Sequence, residues 1–277
     1  MMRLIDFDER FAAYLRDWMS SHEEEYEDPD DMEDEVPEVY QQFLDTPADW
    51  LQGQKPGEYF EGFDSADELI RLMCAYVDQK VSVPDMLLNR IAMLGEEAAE
   101  LLVRVLDDES AGNEKKMLAV TLLRELDSSL PMERYIAWQY ERADEDELCD
   151  NAMESLESMG EKACGAMLEA LEGASPAGKE ALLTALSRYP GDERILQGLL
   201  DLLETRPERM AVLAACLGRL GDARALPALK RLAQEEKLRY LDYIELRSAI
   251  EELGGDAPER EFFDDPEYEA LFGVQGS

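Results

Sequence analysis

The sequence predicts an all-α fold, an α-solenoid of about six two-helix repeats preceded by a small α-helical N-terminal region. Two observations predict it. Turn anchors recur at Gly95, Ser128, Gly160, Gly191, Gly221 and Gly254, spaced 33, 32, 31, 30 and 33 residues apart. Each anchor closes one apolar helical stretch and opens a second built on Ala and Leu. A unit of two short helices cannot bury its apolar face alone, so a fixed period of this length is written by chains that stack such units side by side.

The first 80 residues stand apart from the repeats, with 23 acidic and 6 basic residues. Residues 8–19 read as a helix, because Phe7, Phe11, Tyr14, Leu15 and Trp18 fall along one helical face. Ten of the thirteen positions in 23–35 are acidic, a self-repelling run that favours solvation. Its Asp28, Asp30 and Asp34 are spaced loosely like a calcium loop, but the turn Gly and the terminal bidentate Glu are missing. Residues 37–45 form a second short helix, and the stretch 46–60 is punctuated by Pro and Gly, with Pro56 suited to a first helical turn. Ser65 is a predicted N-cap, with Glu68 completing a capping box. The helix that follows turns Leu69, Ile70, Leu72, Met73, Tyr76 and Val77 inward.

The repeats begin at about residue 81. The predicted helix pairs are 84–94 with 96–106, 114–126 with 132–142, 147–159 with 161–171, 177–189 with 193–203, and 208–220 with 223–233. A sixth unit opens at 241–253 and lacks a regular second helix. The acidic, aromatic stretch 262–272 is expected to fold back as a cap, within a tail spanning 256–277.

The charge of −38 sets this chain apart from an ordinary globular protein. A surface so acidic repels nucleic-acid phosphate and anionic lipid and favours basic partners. The same acidity also serves plain solubility or adaptation to salt. Cys74, Cys149, Cys164 and Cys216 have no CxxC spacing, and three lie on apolar helical stretches, which suits packed free thiols in a reducing compartment. No signal peptide and no membrane span are read, so the expected location is cytoplasmic.

The stretch Leu220-Gly221-Asp222-Ala223-Arg224-Ala225-Leu226-Pro227-Ala228-Leu229 resembles a short HEAT repeat of bacterial type, the variety also found in phycobilin lyases. Leu94-Gly95-Glu96-Glu97-Ala98-Ala99 and Met159-Gly160-Glu161-Lys162-Ala163 are similar. The likeness covers about 175 residues. It implies a right-handed α-solenoid of HEAT-like repeats and an interaction role, since the family mostly binds other proteins. In such repeats Gly ends the first helix in a left-handed conformation, and the acid beside it meets the N-terminal dipole of the second. Unit two departs, with Asp127-Ser128-Ser129-Leu130-Pro131 in place of the Gly turn. HEAT-like di-iron enzymes need several His-Glu pairs, whereas this chain has His22 alone. HEAT-like DNA glycosylases need a basic face, whereas residues 81–277 carry 42 acidic and 21 basic residues. Residues 40–73, with a Gly-x-x-Pro turn at Gly53-Gln54-Lys55-Pro56 ahead of an apolar helix, also resemble the toxin-binding segment of certain bacterial antitoxins.

The architecture implied by the resemblance places second helices on the concave face. The candidate partner-binding residues are therefore Trp138 and Tyr140, in the irregular unit two, and Arg104, Arg142, Arg194 and Arg231. Ion pairs with neighbouring Glu rungs account for the arginines equally well. No catalytic residue, metal ligand or cofactor site is read, because 65 acids make close carboxylate pairs uninformative. The expected function is a non-catalytic intracellular scaffold that binds a basic protein or peptide. The alternatives are a HEAT-like enzyme or cofactor handler, or an antitoxin-like regulatory module in the N-terminal region.

Overall fold

A computed structural model describes residues 4–23, 26, 32–262 and 265–272. The secondary structure among them is helical, with no strand beyond an isolated bridge between Ala48 and Gln54. No helix among them is long and apolar enough to cross a membrane. The Asp28 and Asp30 of the loop weighed for calcium lie outside the described residues, as do Phe263, Asp264 and 273–277 of the tail. The fold gathers into two compact units, Met1–Pro131 and Met132–Ser277.

The first unit holds α1 (Phe7–His22), α2 (Val36–Asp45), 3₁₀ turns at Asp49–Leu51 and Pro56–Gly62, α3 (Ala66–Asp78), α4 (Asp85–Met93), α5 (Glu96–Asp107) and α6 (Asn113–Glu125). Its N-terminal part is built on aromatic rings. Phe7 lies 5.6–5.8 Å from the rings of Trp50, Tyr59 and Phe60, and Phe11 packs on Tyr40 and Phe43. Ser65 accepts a hydrogen bond from the Glu68 amide and so starts α3, which buries Leu69, Ile70, Leu72, Met73 and Tyr76. The Tyr76 hydroxyl donates to the Ile5 carbonyl at 2.9 Å, and burial pushes its pKa up to about 12. Because α3 also packs on α4, α5 and α6, the N-terminal helices and the first predicted repeat share one core.

The second unit runs through α7 (Met132–Glu141), α8 (Glu147–Met159), α9 (Glu161–Ala170), α10 (Pro176–Leu186), α11 (Glu193–Thr205), α12 (Met210–Leu220), α13 (Leu226–Leu232), α14 (Tyr240–Glu252) and α15 (Pro266–Phe272). Each helix packs on near neighbours in the chain: α7 on α8, α9 and α10, then α10 on α11, α11 on α12, and α12 on α14. Ser175 joins α10 to the end of α7. Its hydroxyl caps α10 by accepting from the Gly178 amide and donates to the Arg142 carbonyl at 2.6 Å. Gly178 itself lies so close to Gln139 that a Cβ there would collide with the Gln139 carbonyl. At the far end, Phe262 is buried against Tyr240 and Tyr243, and Asp265 accepts from the amides of Tyr240, Glu267 and Tyr268.

The turn glycines Gly95, Gly160, Gly191, Gly221 and Gly254 all have positive φ. Gly221 is left-handed, whereas Gly95 and Gly160 pair φ near 60° with ψ of −129° and −137°, a region still more restricted to Gly. In the turn without Gly the left-handed residue is Asp127 at φ 48°, one position before the expected Ser128. There the Ser128 amide donates back to the Leu123 carbonyl. Lys80, at φ 54°, ends α3 in the same way, with the Val81 amide on the Tyr76 carbonyl. Both are Schellman closures that place a side chain where Gly is preferred. Lys80→Gly is therefore expected to raise stability by about 0.5–1 kcal/mol, and Asp127→Gly by less, because Asp tolerates the left-handed region better. The check is a shift in urea midpoint at unchanged m-value.

Candidate functional site

A groove of about 770 Å³ in the second unit opens over α8, α10 and the start of α12. That volume is within the range of small-ligand and side-chain pockets. Its apolar lining is Ala143, Met153, Ala177, Ala181 and Val212, and the small side chains of Ala177 and Ala181 on α10 leave the groove its width. Six carboxylates and three guanidiniums border it.

Glu180 lies at the centre of this lining. It is 6% exposed and is the one charged residue buried among those described. It belongs to the stripe Glu180, Leu183 and Ser187, spaced three and four apart, all three of which are buried. A carboxylate out of water needs counter-charge and hydrogen bonds to stay ionised. Arg209 Nε donates to Oε1 at 2.6 Å. Arg206 Nη1 lies 2.8 Å from Oε2 but outside hydrogen-bonding alignment, so Oε2 has an ion-pair partner and no donor. Arg206 is further shared with Asp144 at 3.3 Å and Glu208 at 3.1 Å. Pro207 opens the 3₁₀ turn Pro207–Arg209, which delivers both arginines to the groove. Ser187, one helical turn beyond Thr184, accepts from Arg219 Nη1 at 3.2 Å, and Arg188 pairs with Glu157 at 3.2 Å.

Of the six sequence candidates, Arg142 alone lines this groove, where it pairs with Asp150 and donates to Gln139. Trp138 is half-buried with its ring 5.7 Å from Tyr135, and Tyr140 is exposed but lies against the backbone of Gly173. Arg194 forks onto Asp192, the N-cap of α11, at 2.9 and 2.7 Å, and its hydrogen bonds hold that carboxyl at about 2. Arg231 pairs with Glu204 at 3.2 Å. Arg104 belongs to the first unit, beside a smaller hollow of about 370 Å³ that also holds Cys74 and the Lys115–Asp78 ion pair. The structure thus brings only one of the six to the groove.

The four thiols are free. Burial first, then Asp146, pushes Cys149 up to about 12, and burial also raises Cys74, so both remain protonated near neutrality. No group of three or more His, Cys, Asp or Glu among the described residues is placed to hold a metal ion.

No known family model matches the chain, and no curated protein matches it in sequence.

The groove residues that sequence reasoning missed are Glu180, Arg206 and Arg209. A signal was present for the first. Glu180 falls on the same helical stripe as Leu183, a position that buries whatever side chain it carries. Arg206→Ala would leave Glu180 with one counter-ion and an unscreened oxygen, at an expected cost of about 2–3 kcal/mol. Arg231→Ala, which breaks an exposed pair, should cost under about 1 kcal/mol. Paired denaturant titrations check the difference.

Proposed function

We propose that this protein is a non-catalytic scaffold of the cell interior, a right-handed α-solenoid of HEAT-like repeats whose groove over α8 and α10 receives a basic segment of another protein. The observation that carries the reading is the groove itself. It combines an apolar lining with twice as many carboxylates as guanidiniums, in a chain of net charge −38. Such a rim steers a cationic segment inward, and the apolar lining takes up the stems of its Lys and Arg side chains. The repeat period and the packing of helices on near neighbours support the solenoid. The free cysteines suit a reducing compartment such as the cytoplasm.

The test is fluorescence anisotropy with a short labelled oligo-lysine peptide at about 50 mM salt. The double variant Glu154→Lys, Glu157→Lys reverses charge in the groove, and the control Glu235→Lys, Glu236→Lys reverses it on an exposed loop of the same unit. The groove variant is expected to weaken binding roughly tenfold and the control less than about twofold. Equal losses in both would show diffuse attraction to an acidic surface and overturn the reading.

A further inference from the structure

We propose that Arg209 is an internal stand-in for a guanidinium of the partner, so that Glu180 is a specific arginine-reading subsite that the free protein keeps occupied. The inference rests on the groove being the binding surface and adds what is read there.

The geometry of the two arginines carries it. Arg206 is 20% exposed in its side chain and shared among Glu180, Asp144 and Glu208, so it is pinned and can offset only one of three carboxylates. Arg209 is 44% exposed in its side chain and has Glu180 as its ion-pair partner, through a single Nε contact at 2.6 Å. It is the last residue of a three-residue 3₁₀ turn and the N-cap of α12, so its backbone is held while its side chain reaches the groove. Without Arg209, the pinned Arg206 would face three carboxylates, one of them buried, leaving a local charge of −2. Glu180 Oε2 is already a buried acceptor with no hydrogen-bond donor, although it lines the groove. A guanidinium arriving from the groove has five N–H donors in a planar fork. It can replace the Arg209 contact at Oε1 and supply the donor that Oε2 lacks. Arg209 is released into water, where a half-exposed guanidinium loses little. Lysine, a compact point charge without the fork, satisfies one oxygen at a time.

Competition between an internal and an incoming arginine gives an effect of unusual sign, because deleting a groove residue improves binding. The probe is a labelled oligo-arginine peptide, with the neutral oligo-citrulline peptide as its isostere, measured by anisotropy at low and moderate salt. Arg209→Ala is expected to bind oligo-arginine about threefold more tightly than the wild type, and Glu180→Gln about tenfold more weakly. Oligo-citrulline should bind all three proteins weakly and alike. Arg209→Gln, which retains a hydrogen-bonding side chain without the charge, guards against a folding defect in Glu180→Gln and should also bind more tightly. Oligo-arginine binding that is unchanged or weakened in both Arg209 variants overturns the stand-in while leaving the groove as a binding surface. Failure of every protein to bind either cationic peptide overturns both.

Discussion

A single carboxylate out of water organises the second unit. Glu180 sits on the core-facing stripe of α10, and Arg206 and Arg209 reach it from the turn before α12. An ionised carboxylate placed there without partners would be strongly destabilising, so the turn that supplies the two arginines is tied to α10 by electrostatics as well as by packing. Similar links recur along the unit: Arg142 with Asp150, Arg188 with Glu157, Arg224 with Glu193, and Arg231 with Glu204. Most of these are half-exposed and each contributes little to stability. The Glu180 cluster differs because burial raises the consequence of losing a partner.

This distinction also separates scaffold from site. The arginines that stand out in the sequence are mostly engaged in holding the chain together. Arg194 closes a helix cap, and Arg231 bridges α13 to the end of α11. The groove draws its character from one face of the first helices α8 and α10 and from a 3₁₀ turn, while its apolar lining includes Ala177, Ala181, Met153 and Val212. Acid in excess at the rim and a half-exposed arginine over a buried acid together suit exchange with a cationic segment. A purely structural ion pair would gain nothing from leaving Arg209 half-exposed.

Much of the helix order was legible in the sequence. The expected helix 147–159 coincides with α8, and the positive φ of five glycines accounts for the repeating anchor. Two local features escaped it for physical reasons. The predicted helix 223–233 divides into a 3₁₀ turn at Ala223–Ala225 and α13, where Pro227 lies in the first turn of the α-helix. The irregular turn puts its left-handed residue at Asp127 because the back-bonded Ser128 amide determines which residue must turn. The site was the less legible part. Aromatic content drew attention to Trp138 and Tyr140, yet which side chains converge in a groove depends on contacts some 29 residues apart, such as Arg209 with Glu180. Among 65 acids, a composition-based reading cannot single out the one that is buried.

The most direct measurement of the central claim is the NMR signal of the Arg209 Nε–Hε group during titration with oligo-arginine peptide, read beside that of Arg206. The account predicts that the Arg209 signal loses its hydrogen-bonded shift and its protection from solvent exchange as the peptide binds, while the Arg206 signal stays protected. An Arg209 signal that remains protected in a peptide-saturated protein would contradict it.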